Sequence, residues 1–321
     1  MLGSGRTALT LKGEYMPPSF DVLSYGTVGL DKIIRVPHLP RPDISTHALE
    51  ESLHLGGKAT NTAVFLSVWG VKVAVSGHTI GYDEMGDKLF EILAHYPNIS
   101  TRYLRRQSGL RSMYCCILVT PDGERSIIGI NAEGNPQTPP TAEMISDARL
   151  LTLDLYGGME RVEAARLAYQ AGLPVVVGDL RHVDHPVLPY TTVAIASAAE
   201  IRRQYPGLLP QDFARSVQAV GVRQVILTDG PREVLVFDGG GDISAVTPPQ
   251  AAVVDTTGAG DAFRAGVIYG VLQGWELIES AALGAAAGSI NVGRPGAATQ
   301  PPALDEVQAL ARSLRRRMIT A

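Results

Sequence analysis

Apolar and polar positions follow two different styles along this chain, and the change falls near residue 150. Beyond it, the runs "RLLTLDL", "LPVVVGDL", "TVAIAS" and "VRQVILTDG" are almost continuously apolar, and amphipathic segments at Met159–Ala171 and near 211–220 separate them. Strands with no polar face are buried on both sides, so this rhythm predicts a parallel sheet covered by helices on both faces. Upstream, "DVLSYGTVGLDKIIRV" reads as a buried strand, a glycine-relaxed corner and a second strand. Lys58–Trp69 is helical, with Ala63, Leu66 and Trp69 on one face. A strand in "VKVAVSGHTI" follows, then a helix over Glu84–His95 that Asp83 caps. "SMYCCILVT" and "RSIIGI" flank "PDGE", a hairpin with Asp122-Gly123 at the turn. Together with strands near 33–36 and 50–55, this hairpin predicts a small separate sheet. Prolines 37, 40 and 42 mark an exposed excursion between them. The last third carries "VVDTTGAGDAF", a helix to Leu272 and another over Glu276–Asn291. Residues 1–18 are polar, end in Pro17-Pro18 and read as a loose leader, with one domain over 19–321. The run Leu314-Arg315-Arg316-Arg317 reads as a solvated helix end.

Composition narrows the function classes. The chain has 321 residues, 45% hydrophobic and 19% charged, which suits a globular protein with a large core. A net charge of −4 without a basic block argues against nucleic acid as a partner. No apolar stretch has the length of a signal core or a bilayer span, so no membrane partner is expected. Cys115 and Cys116 are adjacent and the only cysteines. Neighbouring residues rarely reach disulfide geometry, so a structural role in a reducing, cytoplasmic setting is expected.

Chemistry concentrates in "DTTGAGDAF". Gly258 and Gly260 let backbone approach a ligand, and the helix that follows points free amides at the same place. Gly258, Ala259 and Gly260 therefore suit an anion. Asp261 would repel a phosphate unless it takes a proton from the hydroxyl that attacks it. Capping the helix explains the residue equally well on this loop alone. No Gly-Lys-Ser/Thr follows the glycines, and the third glycine of a dinucleotide fingerprint is missing. Far upstream, "LHLGGKATNTAVF" repeats the grammar of strand, paired glycines and helix. Gly56 and Gly57 allow close approach, Lys58 brings charge, Asn61 an amide, and Asp31 a carboxylate after the first strand. Singly these are a solvated charge, a first-turn polar residue and a strand-end cap. In combination they suit a polyol, whose hydroxyls need donors and acceptors.

The pair "GGKATNTA" and "DTTGAGDAF", in this order and spanning about residues 20–302, resembles the ribokinase-like (PfkB) family of carbohydrate and nucleoside kinases. "GYDEMG" and "NAEGNPQTPP" add to the likeness. The resemblance implies a doubly wound, mostly parallel α/β domain with helices on both faces and a small β-sheet lid, its strands drawn from about 33–55 and 110–130. It implies ATP with Mg²⁺ as phosphoryl donor and, in some members, K⁺. Asp261 would be the general base, the amides of Gly258, Ala259 and Gly260 the anion hole, and Asp31, Gly56, Gly57, Lys58 and Asn61 the acceptor site. Glu200 would face the magnesium through water, with Ser197, Thr228 and Gly230 on the nucleotide. Asp255 and Thr257, with "NVGRPGAATQP", would sit at the monovalent-cation loop. A lid of this kind also offers a surface for a homodimer.

Several positions depart from the family pattern. Ser197 replaces the asparagine of "N-x-x-E", with shorter reach toward a metal-bound water. Glu233 stands at the second glycine of "T-x-G-x-x-G", where a side chain would reshape the nucleotide pocket. Tyr156 takes the place of a sugar-binding glutamate, Gly29 of an asparagine near Asp31, and Ala59 of a glycine. Arg264 follows the signature where a smaller residue is usual, and either neutralises phosphate or points to solvent. A kinase acting on a hydroxyl of a sugar or sugar-like compound leads. A nucleoside kinase using Tyr156 or Tyr114 as a platform for the base, or a ligand-binding protein with weakened catalysis, stays open.

Overall fold

The computed structural model describes residues 17–131 and 135–319. The expected leader lies outside them except for Pro17 and Pro18, as do three residues of "NAEGNPQTPP". In the first part the order is β1 (Phe20–Gly26), β2 (Gly29–Arg35), β3 (Glu50–Gly56), α1 (Lys58–Val68), β4 (Val73–Gly77), β5 (Ile80–Gly81) and α2 (Glu84–Leu93). Two short strands, β6 (Ile99–Ser100) and β7 (Arg106–Gln107), precede the hairpin of β8 (Tyr114–Val119) and β9 (Arg125–Ile130). The second part begins with α3 (Ala142–Ser146), β10 (Ala148–Leu153), α4 (Met159–Gln170), β11 (Val175–Leu180), β12 (Val193–Ser197), α5 (Ala198–Gln204) and α6 (Pro210–Ala219). It ends with β13 (Gln224–Thr228), β14 (Val234–Phe237), β15 (Ile243–Val246), α7 (Ala259–Leu272), α8 (Leu277–Asn291), α9 (Leu304–Ser313) and β16 (Arg316–Ile319).

The main sheet has ten strands in the order β16-β15-β14-β13-β12-β11-β10-β1-β4-β6. From β13 to β6 neighbours run parallel, and β14, β15 and β16 extend the sheet antiparallel. Burial explains the apolar strand runs. Val22, Leu150, Val176 and Ile226 point to the side covered by α1, α7 and α8, where they meet Ala63, Val267 and Ala281. Their neighbours Leu23, Leu151, Val177 and Leu227 point to the other side, against Ala164 of α4 and Phe213 of α6. Each such buried aliphatic side chain contributes roughly 1.5–3 kcal/mol. The helices α7 and α8 touch backbone to backbone, because a Cβ on Gly266 would lie 2.5 Å from the Gly284 amide nitrogen.

The lid is a second, four-stranded sheet in the order β3-β2-β8-β9. Its outer pairs are antiparallel, but β2 and β8 run parallel, with Asp31 opposite Cys115. The turn between β8 and β9 contains Gly123 at φ 86, as its Asp-Gly sequence demands. Asp83 caps α2 by accepting from the Gly86 amide at 2.9 Å. One expectation fails at the end of the chain. α9 stops at Ser313, and Arg316 and Arg317 belong to the edge strand β16, paired with Val246 and Ala245. Their charges, bonded to Glu279 and Glu233, suit an edge that must not recruit another strand.

Candidate active site

The residues picked out by sequence converge where β1, β10 and β11 end and α1 and α7 begin. The C-terminal edge of a parallel sheet is the usual ligand crevice of open α/β folds. The Gly26–Gly29 corner is fixed from below. Asp154, at the end of β10, accepts from the Thr27 amide at 2.5 Å and from Thr27 Oγ1 at 3.1 Å. The fully buried Arg161 stands 3.7 Å from Asp154 and donates to Gln137 Oε1 at 2.7 Å. The Thr27 carbonyl in turn accepts from the Ala59 amide at 3.1 Å, so this corner sets the start of α1. Gly57 adopts φ 86, and a side chain there would strike the Thr27 carbonyl.

α1 and α7 meet at the base. Asn61 Nδ2 donates to Asp261 Oδ2 at 3.0 Å, joining two motifs 200 residues apart. Asp261 is only 5% exposed, and its Oδ1 accepts from Arg264 Nη2 at 3.0 Å. Gly258 precedes the helix at φ 76. The amides of Gly258 and Gly260 meet no acceptor among the described residues, whereas Ala259 leans on the Thr256 carbonyl at 3.4 Å. The loop thus presents unsatisfied donors at a helix N-terminus, the arrangement that holds anions.

Electrostatics divide the carboxylates. Burial pushes Asp261 above the usual carboxylate range, while Lys58, Arg264 and the Asn61 bond pull it back. Asp31 rises to about 6, first through burial and then through the charge of Asp261; a hydrogen bond with the Cys115 thiol works the other way. Lys58 Nζ pairs with Asp179 Oδ1 at 2.8 Å. Burial alone would push the Lys58 ammonium down, but Asp261 and Asp179 hold it above its ordinary value. Tyr156 carries two cations near its ring, Lys58 at 5.4 Å and Arg181 at 4.9 Å. Tyr114 packs against the core beneath the lid.

Beside this cluster lies a cavity of about 430 Å³ that ends at Ala259 and Gly260. Ile195, Val234, Phe263 and Val292 make its walls apolar, and Ser197, Glu200, Thr228 and Gly230 supply polar groups. Ser197 caps α5, with Oγ 3.4 Å from the Glu200 amide. One Glu200 oxygen takes Arg203 at 2.5 Å. Among the described residues, no group of three or more His, Cys, Asp or Glu could hold a metal by itself. A single carboxylate acting through water beside donor phosphates does suit Mg²⁺, which keeps several waters. Glu233 does not enter this cavity. Its carboxylate takes Arg317 at 2.6 Å and Thr247, on the outer side of β14. Asp255 is engaged by the Thr257 amide at 2.8 Å and the Gly296 amide at 3.0 Å, with the lid residue Arg125 3.6 Å away. Any monovalent cation at this loop would therefore depend on main-chain carbonyls.

Asp179, Asp154, Arg161 and Arg125 join the site without having a motif of their own. For Asp154 and Asp179 one sequence signal exists, an acid closing an otherwise apolar strand run. No helix among the described residues is long and apolar enough to cross a membrane, and both cysteines are unpaired.

Comparison with known proteins gives the family and the fold. Residues 19–304 match the profile of the pfkB family carbohydrate kinases. Ribokinase of Arabidopsis thaliana is 26% identical over 86% of this chain and 77% of its own length. Ribokinase of Haemophilus influenzae is 26% identical over 88% and 95%. Among solved structures, Arabidopsis thaliana ribokinase complexed with ribose and ATP superposes with a TM-score of 0.79 at 22% identity, covering 92% of this chain and 99% of that one. A nucleoside kinase of Methanocaldococcus jannaschii superposes with 0.76 at 19% identity, covering 92% and 99%. With a ribokinase-like fold, both signature loops at one crevice and a family match over most of its length, the chain belongs to the pfkB family and is a carbohydrate kinase.

Proposed function

We propose that the protein transfers the γ-phosphoryl group of ATP to a hydroxyl of a sugar or sugar-like molecule, with Asp261 as general base. The observation that carries this reading is the meeting of Asp261, the free Gly258 and Gly260 amides and Asn61 at the end of the nucleotide-sized cavity. Asp31, Gly56, Gly57, Lys58 and Asn61 hold the acceptor, whose hydroxyl lies against Asp261. Asp261 takes its proton as the oxygen attacks, and the amides of Gly258 to Gly260 hold the charge on the transferred group. Ser197, Thr228 and Gly230 border the nucleotide, and Mg²⁺, reached from Glu200 through water, neutralises phosphate charge when bound. The lid strands exclude water that would otherwise compete as acceptor. Unpaired Cys115 and Cys116 fit a reducing, cytoplasmic setting. Ile127 and Ile128, exposed on β9, support a second copy joining at the lid. The test is an ADP-release screen with ATP and Mg²⁺ across sugars, sugar acids and nucleosides. Turnover with a sugar or sugar acid is expected. Turnover with nucleosides alone assigns the acceptor to the other class, and failure with every acceptor favours a ligand-binding role.

A further inference from the structure

Arg264 occupies a place in α7 that the signature loop does not require, and it is buried in the wall of the cavity rather than turned to solvent. Its side chain is 3% exposed. Nη2 donates to Asp261 Oδ1 and to the Lys58 carbonyl, both at 3.0 Å. Nε donates to Thr62 Oγ1 at 3.1 Å and Nη1 to the Leu153 carbonyl at 3.3 Å, with Asp179 Oδ2 at 3.8 Å. Burying a guanidinium costs several kcal/mol unless its donors are matched, and here every nitrogen has a partner. The surroundings are shaped to admit it. A Cβ on Gly178 would come within 2.6 Å of Arg264 Nη1. The register of β11 against β12 shifts between Val177 and Leu180, and Asp179 there takes φ 58, an unusual conformation for a non-glycine residue. A missing side chain, a bulge and a left-handed residue all converge on one arginine.

We infer that Arg264 is a positioning residue that holds the Asp261 carboxylate ionised and fixed in plane, an inference that rests on Asp261 being the general base. Asn61 on Oδ2 and Arg264 on Oδ1 fix the plane of the carboxylate and leave a lone pair on each oxygen for an acceptor hydroxyl. The charged and titratable groups around Asp261 are Lys58 on α1, Arg264 on α7, Asp179 on β11 and Asp31 on β2, with the Cys115 thiol of β8 behind Asp31. Burial works against ionisation, and so does Asp179; Lys58 and Arg264 work for it. A partner charge at this range moves a carboxyl by about 1–3 in pKa.

The full chain, labelled with ¹³C at the aspartate carboxyl, gives the readout without any acceptor. The Asp261 resonance is assigned by its loss in Asp261→Asn and titrated in wild type and variants. Arg264→Met should raise its apparent pKa by about one to two. Arg264→Lys, which keeps the charge but not the fork, should raise it less. Asp179→Asn should lower it, and general loosening of the fold, which hydrates the carboxyl, also lowers it and so cannot produce the rise expected in Arg264→Met. An unmoved titration in folded Arg264→Met overturns the inference. If that variant does not fold, a rise or no change in Asp179→Asn overturns it instead. Turnover retained by Asp261→Asn would remove the base reading itself, a failure separable from either titration result.

Discussion

Replacing Asp31 by asparagine should make the protein more stable and less active at once. Asp31 sits on the lid strand β2, in space left by Gly56, whose Cβ would lie 2.5 Å from the Asp31 carboxyl carbon. Burial, and then the charge of Asp261, raise its pKa from 3.8 to about 6. A folded-state value above the unfolded one means that the protonated acid favours folding. That contribution is complete below pH 3.8 and is lost as pH rises through about 6. At about 1.4 kcal/mol per pKa unit, the ionised group costs on the order of 3 kcal/mol at neutral pH. Asp31→Asn removes this cost. Urea denaturation should therefore show the variant more stable by up to about 3 kcal/mol near pH 7.5, with the gain fading toward pH 4. In the same variant the acceptor loses a charge-assisted hydrogen bond worth about 1.5–3 kcal/mol, so kcat/KM should fall roughly 10- to 150-fold. A variant no more stable than wild type at pH 7.5, or a gain that persists undiminished at low pH, would refute the electrostatic reasoning.

Gly258→Ala meets two obstacles, a φ of 76 and a Cβ 2.5 Å from the Ala297 carbonyl oxygen. The left-handed conformation alone costs about 1–2 kcal/mol, and relief of the clash moves the anion loop. Turnover should fall at least about tenfold, with ATP affinity by calorimetry much less affected; unchanged turnover would show that the loop does not hold the transferred group. Glu233→Gln should leave the affinity for ATP within about twofold and stability within about 1 kcal/mol, because the side chain is tied to Arg317 outside the cavity. A large change in nucleotide affinity would place Glu233 at the base after all.

The fold was legible where burial leaves a periodic mark. Continuous apolar runs such as "LPVVVGDL" announce strands with two covered faces, and Val175 and Val176 do belong to opposite cores. The Asp122-Gly123 turn and the Asp83 cap are local chemistry and read directly. Arg316 and Arg317 did not, since an edge strand rich in arginine has the composition of a helix end and only its pairing with β15 distinguishes them. The same division holds at the site. Gly57 and Gly258 stand in dense local motifs at positions whose left-handed backbone requires glycine, and Asn61 and Asp261 follow them in the first turns of α1 and α7. Arg264 and Glu233 were ambiguous, because whether a side chain points inward depends on neighbours far away in sequence. Arg264 is buried by Thr62, Leu153 and Asp179, and Glu233 is drawn outward by a strand more than eighty residues later.

The central claim is that Asp261 accepts the proton of the attacking hydroxyl. Asp261→Asn nearly preserves shape and leaves the anion loop and the cavity in place. With the best acceptor from the ADP-release screen, the variant should still bind ATP by calorimetry while its turnover falls by about 10²–10⁴. Turnover within a few-fold of wild type, with binding intact, would contradict the account.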